Sequence, residues 1–320
     1  MTVAAACSAG GDGGGAGSIA ISGSSTVEPI SIAVAEKFGP VSGANISVDG
    51  PGTGDGFELF CNGEVDISDA SRAISAEEIG ACEANGIEFI ELKVAIDGLS
   101  VITSPNNESI DQCLSFSDIY SLVGPESQGF DRWSDANSLA AELGGNQAAP
   151  FADVRLEVTG PGEESGTYDS FVELVIEGLA EERGQQAQTR PDYQASADDN
   201  VIVQGVTGTD TSFGWVGYAF LEANRDQLKA FEVARDDGDC VEATPETIAD
   251  GSYPIARPLF IYANAQNVEE NQALAEFLDF YLSDEGVASV AEVGYVALEE
   301  DALDETIRAW QTRETGTREG

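Results

Sequence analysis

Short apolar stretches alternate with amphipathic ones along most of this chain, and glycine-rich polar turns separate them. Residues 19–22 are typical of a buried strand, and residues 29–38 have apolar side chains at helical spacing. Residues 156–158 and 168–179 repeat this order around another glycine-rich turn. A strand, a loop and a helix in repeated succession predict an α/β fold built on a mainly parallel sheet.

Four of these turns carry hydroxyl side chains where a helix is predicted to begin. A helix N-terminus presents unpaired N–H groups and a partial positive charge, although any one such turn is most often an ordinary cap. Because ligands of open α/β sheets collect at the carboxyl ends of strands, four such turns together predict a site for a small oxyanion. The turns contain Ser24-Ser25-Thr26, Gly52-Thr53-Gly54, Ser71-Arg72 and Ser165-Gly166-Thr167.

The chain contains no histidine, which weakens every enzymatic hypothesis. Histidine is the commonest general base and the commonest zinc ligand, and without it a Ser-His-Asp triad and a Cys-His pair are impossible. A secreted phosphate-ester hydrolase with Ser25 or Ser165 as nucleophile is the enzymatic alternative, but it needs a base or metals that no motif supplies. We therefore expect no catalysis, no metal and no cofactor.

The charge balance restricts the partners. The chain has 58 acidic and 14 basic residues, and 14 − 58 gives a net charge of −44. A surface this acidic repels nucleic acid and anionic lipid headgroups, so neither is an expected partner. The simplest role for the acidic residues is solvation, particularly at high salt.

Residues 1–17 differ in composition from the rest of the chain. Small residues precede Cys7, and a run rich in glycine follows it. This arrangement resembles the end of a bacterial lipoprotein signal followed by a flexible tether, and it predicts a lipid anchor on Cys7. The alternative is a tail in which the cysteine is incidental.

If Cys7 carries lipid, an even number of cysteines remains, which in an exported chain suggests two disulfides. Three pairings are possible, and four free thiols are the alternative. The short separation of Cys61 and Cys82 favours pairing them, which leaves Cys113 for Cys240.

Five motifs, in order, resemble those of the Pst-type periplasmic phosphate-binding proteins, which serve ABC import systems. The first is the run ISGSSTVEPI at residues 21–30, and the likeness extends over nearly the whole chain after residue 18. The others lie at residues 52–57, 60–72, 160–171 and 198–206.

The resemblance implies a two-lobed type II periplasmic binding protein fold, in which each lobe is a mainly parallel sheet flanked by helices. Lobe I is expected to comprise residues 18–104 and 255–320, and lobe II residues 105–254. Such a protein closes on inorganic phosphate and delivers it to the permease subunits of an ABC transporter. It is expected to be an extracytoplasmic monomer, tethered by lipid to the outer face of the membrane.

The resemblance also implies the ligands of the anion, with Arg72 as the one full positive charge. One branch of the family has Asp where Ser71 stands and Arg where Pro161 stands, so the acceptor for the phosphate proton must differ here. Glu164 and Asp198 are the candidates, and sulfate or molybdate are the alternative ligands. The implied phosphate-binding residues are Ser25, Thr26, Val27, Thr53, Ser71, Arg72, Ser165, Gly166 and Thr167.

Overall fold

The computed structural model of the protein describes residues 17–145, 147–163, 165–235 and 238–318. The predictions for Cys7 and Glu164 lie outside these residues. No helix in the described part of the chain combines the length and apolar character needed to cross a bilayer.

The strands of the described residues form one large curled sheet and one small parallel pair. In the large sheet the order is β2-β1-β3-β11-β4-β8-β6-β7, with β9 also paired to β4, while β5 and β10 make the small pair. The strands are β1 (Ser18–Gly23), β2 (Asn45–Asp49), β3 (Ile67–Ala70), β4 (Phe89–Thr103), β5 (Cys113–Ser115), β6 (Glu157–Gly160), β7 (Gln194–Ala195), β8 (Ser212–Gly217), β9 (Lys229–Ala230), β10 (Glu232–Ala234) and β11 (Ala256–Asn264).

The two ends of the large sheet are parallel and its middle is antiparallel. At one end β1 pairs in parallel with both β2 and β3, and at the other β6 pairs in parallel with β7 and β8. Between them β11 runs antiparallel to β3 and to β4, and β4 runs antiparallel to β8. The parallel pairing expected for each lobe is therefore present at the ends, away from the crossing strands.

Strand β4 joins the two halves of the sheet. Residues 89–98 pair with β11, whereas Leu99–Ile102 pair with β8. The predicted lobe limits near residues 104 and 255 fall just after β4 ends and just before β11 begins. These limits remain predictions.

Helices cover the faces of the large sheet. They are α1 (Glu28–Ser42), α2 (Thr53–Cys61), α3 (Ala76–Asn85), α4 (Phe116–Val123), α5 (Asn137–Leu143), α6 (Gly166–Phe171), α7 (Glu177–Glu182), α8 (Asp199–Thr207), α9 (Tyr218–Ala223), α10 (Pro245–Ala249), α11 (Ala265–Glu270), α12 (Gln272–Tyr281), α13 (Asp284–Glu292) and α14 (Glu300–Thr312). A π-helical turn, Val172–Ile176, connects α6 to α7 without a break.

Each half of the sheet has its own hydrophobic core. One core is centred on Trp133, Trp215 and Phe171, and the other contains Val34 and Phe277. Burial of these large side chains is the main source of stability for each half, because apolar area removed from water contributes roughly 25 cal/mol per Å².

Both disulfides favoured by the sequence are present. Cys61 is bonded to Cys82, and Cys113 to Cys240. The first joins the end of α2 to α3, and the second joins β5 to the segment after β10.

Candidate anion-binding site

The turn that links β1 to α1 is held in place by the end of β3. Gly23 is the residue that permits this approach, because a β-carbon there would lie 2.0 Å from the backbone oxygen of Asp69. The Ser24 amide donates to that same oxygen at 2.8 Å. The Ser24 hydroxyl then accepts from the Thr26 amide at 3.2 Å, which fixes Thr26 beside the helix start.

The turn after β2 packs on the first turn. The Gly52 amide donates to the Gly23 carbonyl at 2.8 Å, and α2 begins at Thr53. The Thr53 hydroxyl oxygen lies 3.1 Å from that of Ser71 and accepts the Ser71 amide hydrogen at 3.2 Å. The turns that follow β1, β2 and β3 therefore meet at one edge of the sheet, as the sequence pattern predicted.

Arg72 is engaged by a neighbouring carboxylate. Its guanidinium donates to both carboxylate oxygens of Glu78, at 2.9 and 2.8 Å, and lies over the ring of Phe57. The hydrogen bonds with Glu78 raise the pKa of Arg72, and the charge of Glu173 adds to that rise. In this structure the Arg72 charge is balanced by Glu78, a partner that the sequence analysis did not assign to it.

The fourth turn comes from the second half of the sheet. The Ser165 hydroxyl caps α6 by accepting from the Thr167 amide at 3.2 Å. A β-carbon placed on Gly166 would lie 3.4 Å from the Ser25 carbonyl oxygen and 3.6 Å from the Thr26 Cα. Two turns separated by about 140 residues of sequence are thus in contact.

Side chains also bridge these two turns. The Ser25 hydroxyl donates to the carboxylate of Asp169 at 2.9 Å, and the Thr26 and Ser170 hydroxyl oxygens lie 3.2 Å apart. Neither Asp169 nor Ser170 was singled out from the sequence. Their signal was positional, since both lie within the first helical turns after the glycine-rich motif.

Arg257 is the most informative residue that the sequence analysis missed. It lies in β11 and is almost fully buried, with 8% of its side chain exposed. Its guanidinium donates to the hydroxyls of Thr26 and Ser170, at 3.3 and 3.0 Å. The available signal was an arginine directly before the apolar run of residues 258–263, where a charged side chain must find partners.

Asp69 lies directly beneath the turns and is completely buried. Burial raises the pKa of Asp69 to about 8, although a hydrogen bond from Ser31 opposes the shift. A protonated carboxyl group at neutral pH adds no negative charge below an anion site.

Asp198 has a structural role in this structure. It is exposed, and its carboxylate caps α8 by accepting from the Asn200 amide at 2.9 Å. Helix capping neither requires nor excludes a contact with the ligand, so the use of Asp198 as a proton acceptor stays a prediction.

Taken together, the site offers hydroxyl and amide donors from four turns, with two arginines close by. Donors of this kind, brought together at the ends of strands, suit a small tetrahedral oxyanion. In this structure the donors of Ser25 and Arg72 are engaged by the carboxylates of Asp169 and Glu78.

Comparison with known proteins agrees with this reading of the fold. A family model described as a PBP superfamily domain matches residues 8–285. Protein SphX of Synechocystis sp. is 37% identical over 304 residues, which cover 94% of this chain and 84% of that protein. The phosphate-binding protein PstS of Staphylococcus epidermidis is 36% identical over 280 residues, covering 86% of this chain and 77% of that protein.

A solved structure resembles this one over nearly its full length. It is the crystal structure of a possible phosphate binding protein from Planctomyces limnophilus, with 34% sequence identity and a TM-score of 0.83. The match covers 93% of this chain and 99% of that chain. These comparisons confirm the two-lobed α/β architecture expected from the sequence motifs.

Proposed function

Since the chain belongs to the PBP superfamily and, within it, to the family of the PstS phosphate-binding proteins, we propose that it captures inorganic phosphate between its lobes. Phosphate is then released, chemically unchanged, to the permease subunits of an ABC transporter. Sulfate and molybdate share the tetrahedral shape of phosphate and are outcomes of the test below.

The contact between the turn of residues 24–26 and Gly166 carries this proposal. It brings donors from both lobes to one edge of the cleft, as a clamp on a small anion requires. Lobe I is taken as residues 18–104 and 255–320, and lobe II as residues 105–254. The proposed donors are the hydroxyls or amides of Ser25, Thr26, Val27, Thr53, Ser71, Ser165, Gly166 and Thr167.

Arg72 supplies the forked, charged donor in the proposed complex by exchanging Glu78 for phosphate. Its side chain is 42% exposed, and ion pairs with that much solvent contact contribute only about 0–1 kcal/mol. A dianion in a closed cleft is the stronger partner, because hydrogen bonds between charged groups in a water-poor site are short and strong.

Among the described residues, Asp169 is well placed to accept a hydrogen bond from the protonated oxygen of hydrogen phosphate. Its carboxylate already contacts the Ser25 hydroxyl at 2.9 Å, whereas Asp198 is used as a helix cap. A carboxylate at this position attracts the protonated oxygen of phosphate and repels fully ionised sulfate.

The proposed location is outside the cytoplasm, with lipid on Cys7 holding a monomer to the outer face of the membrane. The two disulfides support an oxidising compartment, since such bonds are rare in reducing cytosol. The acidic surface disfavours nucleic acid as a partner, which is consistent with a location outside the cytoplasm.

Calorimetric titration of the full chain with phosphate, then sulfate and molybdate, tests the proposal. We expect saturable binding of phosphate, weakened roughly 10- to 100-fold by Thr53→Val because a hydrogen bond to a charged ligand contributes about 1.5–3 kcal/mol. Thr306→Val is the matched control, since it removes a buried threonine hydroxyl from α14, outside the site. Asp169→Asn should weaken phosphate binding and strengthen sulfate binding.

Two results would contradict the proposal. One is tighter binding of sulfate or molybdate than of phosphate by the unmodified chain. The other is sustained hydrolysis of p-nitrophenyl phosphate that Ser25→Ala or Ser165→Ala abolishes, which would favour the hydrolase.

A further inference from the structure

Arg257 stands where the chain crosses between the lobes. It is the second residue of β11, and in the ladder it lies opposite Asp97 of β4. These are the two central antiparallel strands of the large sheet, and β4 pairs with strands of both halves. A side chain at this position can therefore touch both lobes.

The guanidinium contacts both sides of the cleft. It donates to Thr26 in the turn after β1, and to Ser170 in α6, at 3.3 and 3.0 Å. It also makes an ion pair with Glu173 at 2.6 Å. Thr26 belongs to the predicted lobe I, whereas Ser170 and Glu173 belong to the predicted lobe II.

Its guanidinium is paired within the protein and only 8% of the side chain is exposed, against 42% for Arg72, which argues against a role as the counter-ion of the ligand. Besides Glu173, the buried carboxylate of Asp97 lies 3.5 Å from the Arg257 Nε. The ion pair with Glu173 is by itself enough to balance the positive charge of the guanidinium. The observations fit a residue that fixes the relative position of its neighbours.

The helical segment that supplies Glu173 is irregular at that residue. Val172–Ile176 forms a π turn between α6 and α7, and Glu173 is its second residue. Such turns are rare and occur frequently at functional sites, because the extra residue changes which side chains face a cleft. This irregularity is an independent sign that the position of Glu173 matters.

We propose that Arg257 is an inter-lobe positioning residue, whose bonds to Thr26, Ser170 and Glu173 form together only when the lobes are closed. Its contacts then stabilise the closed form before any ligand arrives. The link to phosphate rests on the proposed function, whereas the effect on closure does not.

A residue that only favours closure should affect the affinity for every ligand of the cleft equally. If only the closed form binds tightly, apparent affinity scales with the fraction of closed protein in the absence of ligand. Removing Arg257 should therefore weaken phosphate and competing oxyanions by the same factor. A residue that touched the ligand would instead change their ratio.

Small-angle scattering of the full chain without ligand, followed by phosphate calorimetry, tests the proposal. We expect Arg257→Gln and Glu173→Gln to increase the radius of gyration of the ligand-free protein. Affinity should fall roughly 10- to 100-fold for Arg257→Gln and less for Glu173→Gln, as expected for lost bonds of charged groups. Arg190→Gln is the matched control, because Arg190 is equally buried and pairs with Asp192 outside the cleft.

Glu173→Gln keeps the test decisive if Arg257→Gln does not fold, since Glu173 is 43% exposed. An unchanged ligand-free radius of gyration in the folded variants would overturn the proposal, whatever happens to affinity. A changed phosphate-to-sulfate ratio in Arg257→Lys would overturn it as well. If the unmodified chain binds no phosphate, the proposed function fails, but the scattering result still decides the role of Arg257.

Discussion

Asp69 illustrates how the protonation of one buried carboxyl group can make the stability of a binding site depend on pH. Its side chain is fully buried, and Ser31 donates to one carboxylate oxygen at 3.0 Å. The Ser31 oxygen also lies 3.3 Å from the Tyr281 hydroxyl, while the second Asp69 oxygen has no partner among the described residues. An ionised carboxylate would be costly here, so the protonated form is favoured.

We expect the pH dependence of stability to change in Asp69→Asn. The pKa of Asp69 is about 8 in the folded chain and 3.8 for an ordinary aspartate, so the folded state holds one proton more between these pH values. The free energy of unfolding of the unmodified chain therefore loses up to about 1.4 kcal/mol per pH unit as pH rises through this window. Asn does not titrate, so the variant should gain stability relative to the unmodified chain from pH 5 to pH 8.

Urea unfolding at several pH values measures this difference directly. Asp198→Asn serves as the control, since it makes the same substitution at an exposed helix cap. Parallel curves for Asp69→Asn and the unmodified chain would show that Asp69 is ionised in the folded protein.

The residues found from the sequence and those missed differ in the range of their contacts. Ser25, Thr53 and Ser165 lie in local patterns, a glycine-rich turn before a helix, which a short window of sequence reveals. The partners of Arg257 lie up to 231 residues away from it, and nothing local specifies which of them a buried arginine will meet. Arg72 was predicted to bind the ligand. In this structure its guanidinium instead donates to Glu78, the residue that also caps the start of α3.

At the scale of elements, burial on both faces limited what the sequence could predict. Strand β4 begins at residue 89 and is buried along nearly all of its 15 residues. Strands buried on both faces lack the alternation of apolar and polar residues by which a strand is recognised in a sequence. The helix expected at residues 168–179 is present, but the π turn within it has no sequence signature in this chain.

The Cys61–Cys82 disulfide ties together two helices that begin close to the site. Its removal in Cys61→Ala/Cys82→Ala should lower the free energy of unfolding by roughly 3 kcal/mol, given a sequence separation of 21. The separation of 127 between Cys113 and Cys240 predicts a larger loss, roughly 5 kcal/mol, in the chain-entropy account. Guanidinium unfolding of the two double variants gives both values, and a larger loss for the shorter loop would contradict this ranking.

At the scale of the whole molecule, the two-lobed architecture was predictable because its motifs recur in order along nearly the full chain. The individual contacts between the two halves of the sheet were not. The Ser25–Asp169 hydrogen bond and the contacts of Arg257, for example, become visible only when distant segments are placed side by side. Sequence motifs identify the donors, and the fold determines which of them face one another.

The net charge of −44 should make stability depend strongly on salt concentration and ligand binding only weakly. Self-repulsion among exposed carboxylates destabilises the compact state, and salt screens it, since the Debye length falls from about 10 Å at 0.1 M to 3 Å at 1 M. The melting temperature should therefore rise as KCl increases over this range. Phosphate affinity should change less than about threefold, because buried hydroxyl and amide donors act at contact distance, where screening is weak.

Thermal unfolding and calorimetry over one KCl series test both parts together. The acidic surface repels an incoming dianion from many directions, but each contribution acts over distances that salt screens. A steep loss of phosphate affinity on salt addition would mean that exposed cations such as Arg72 dominate binding, since only solvent-exposed pairs weaken strongly with salt. Enclosed donors would then not be the source of affinity, and the clamp formed by the four turns would have to be abandoned as its explanation.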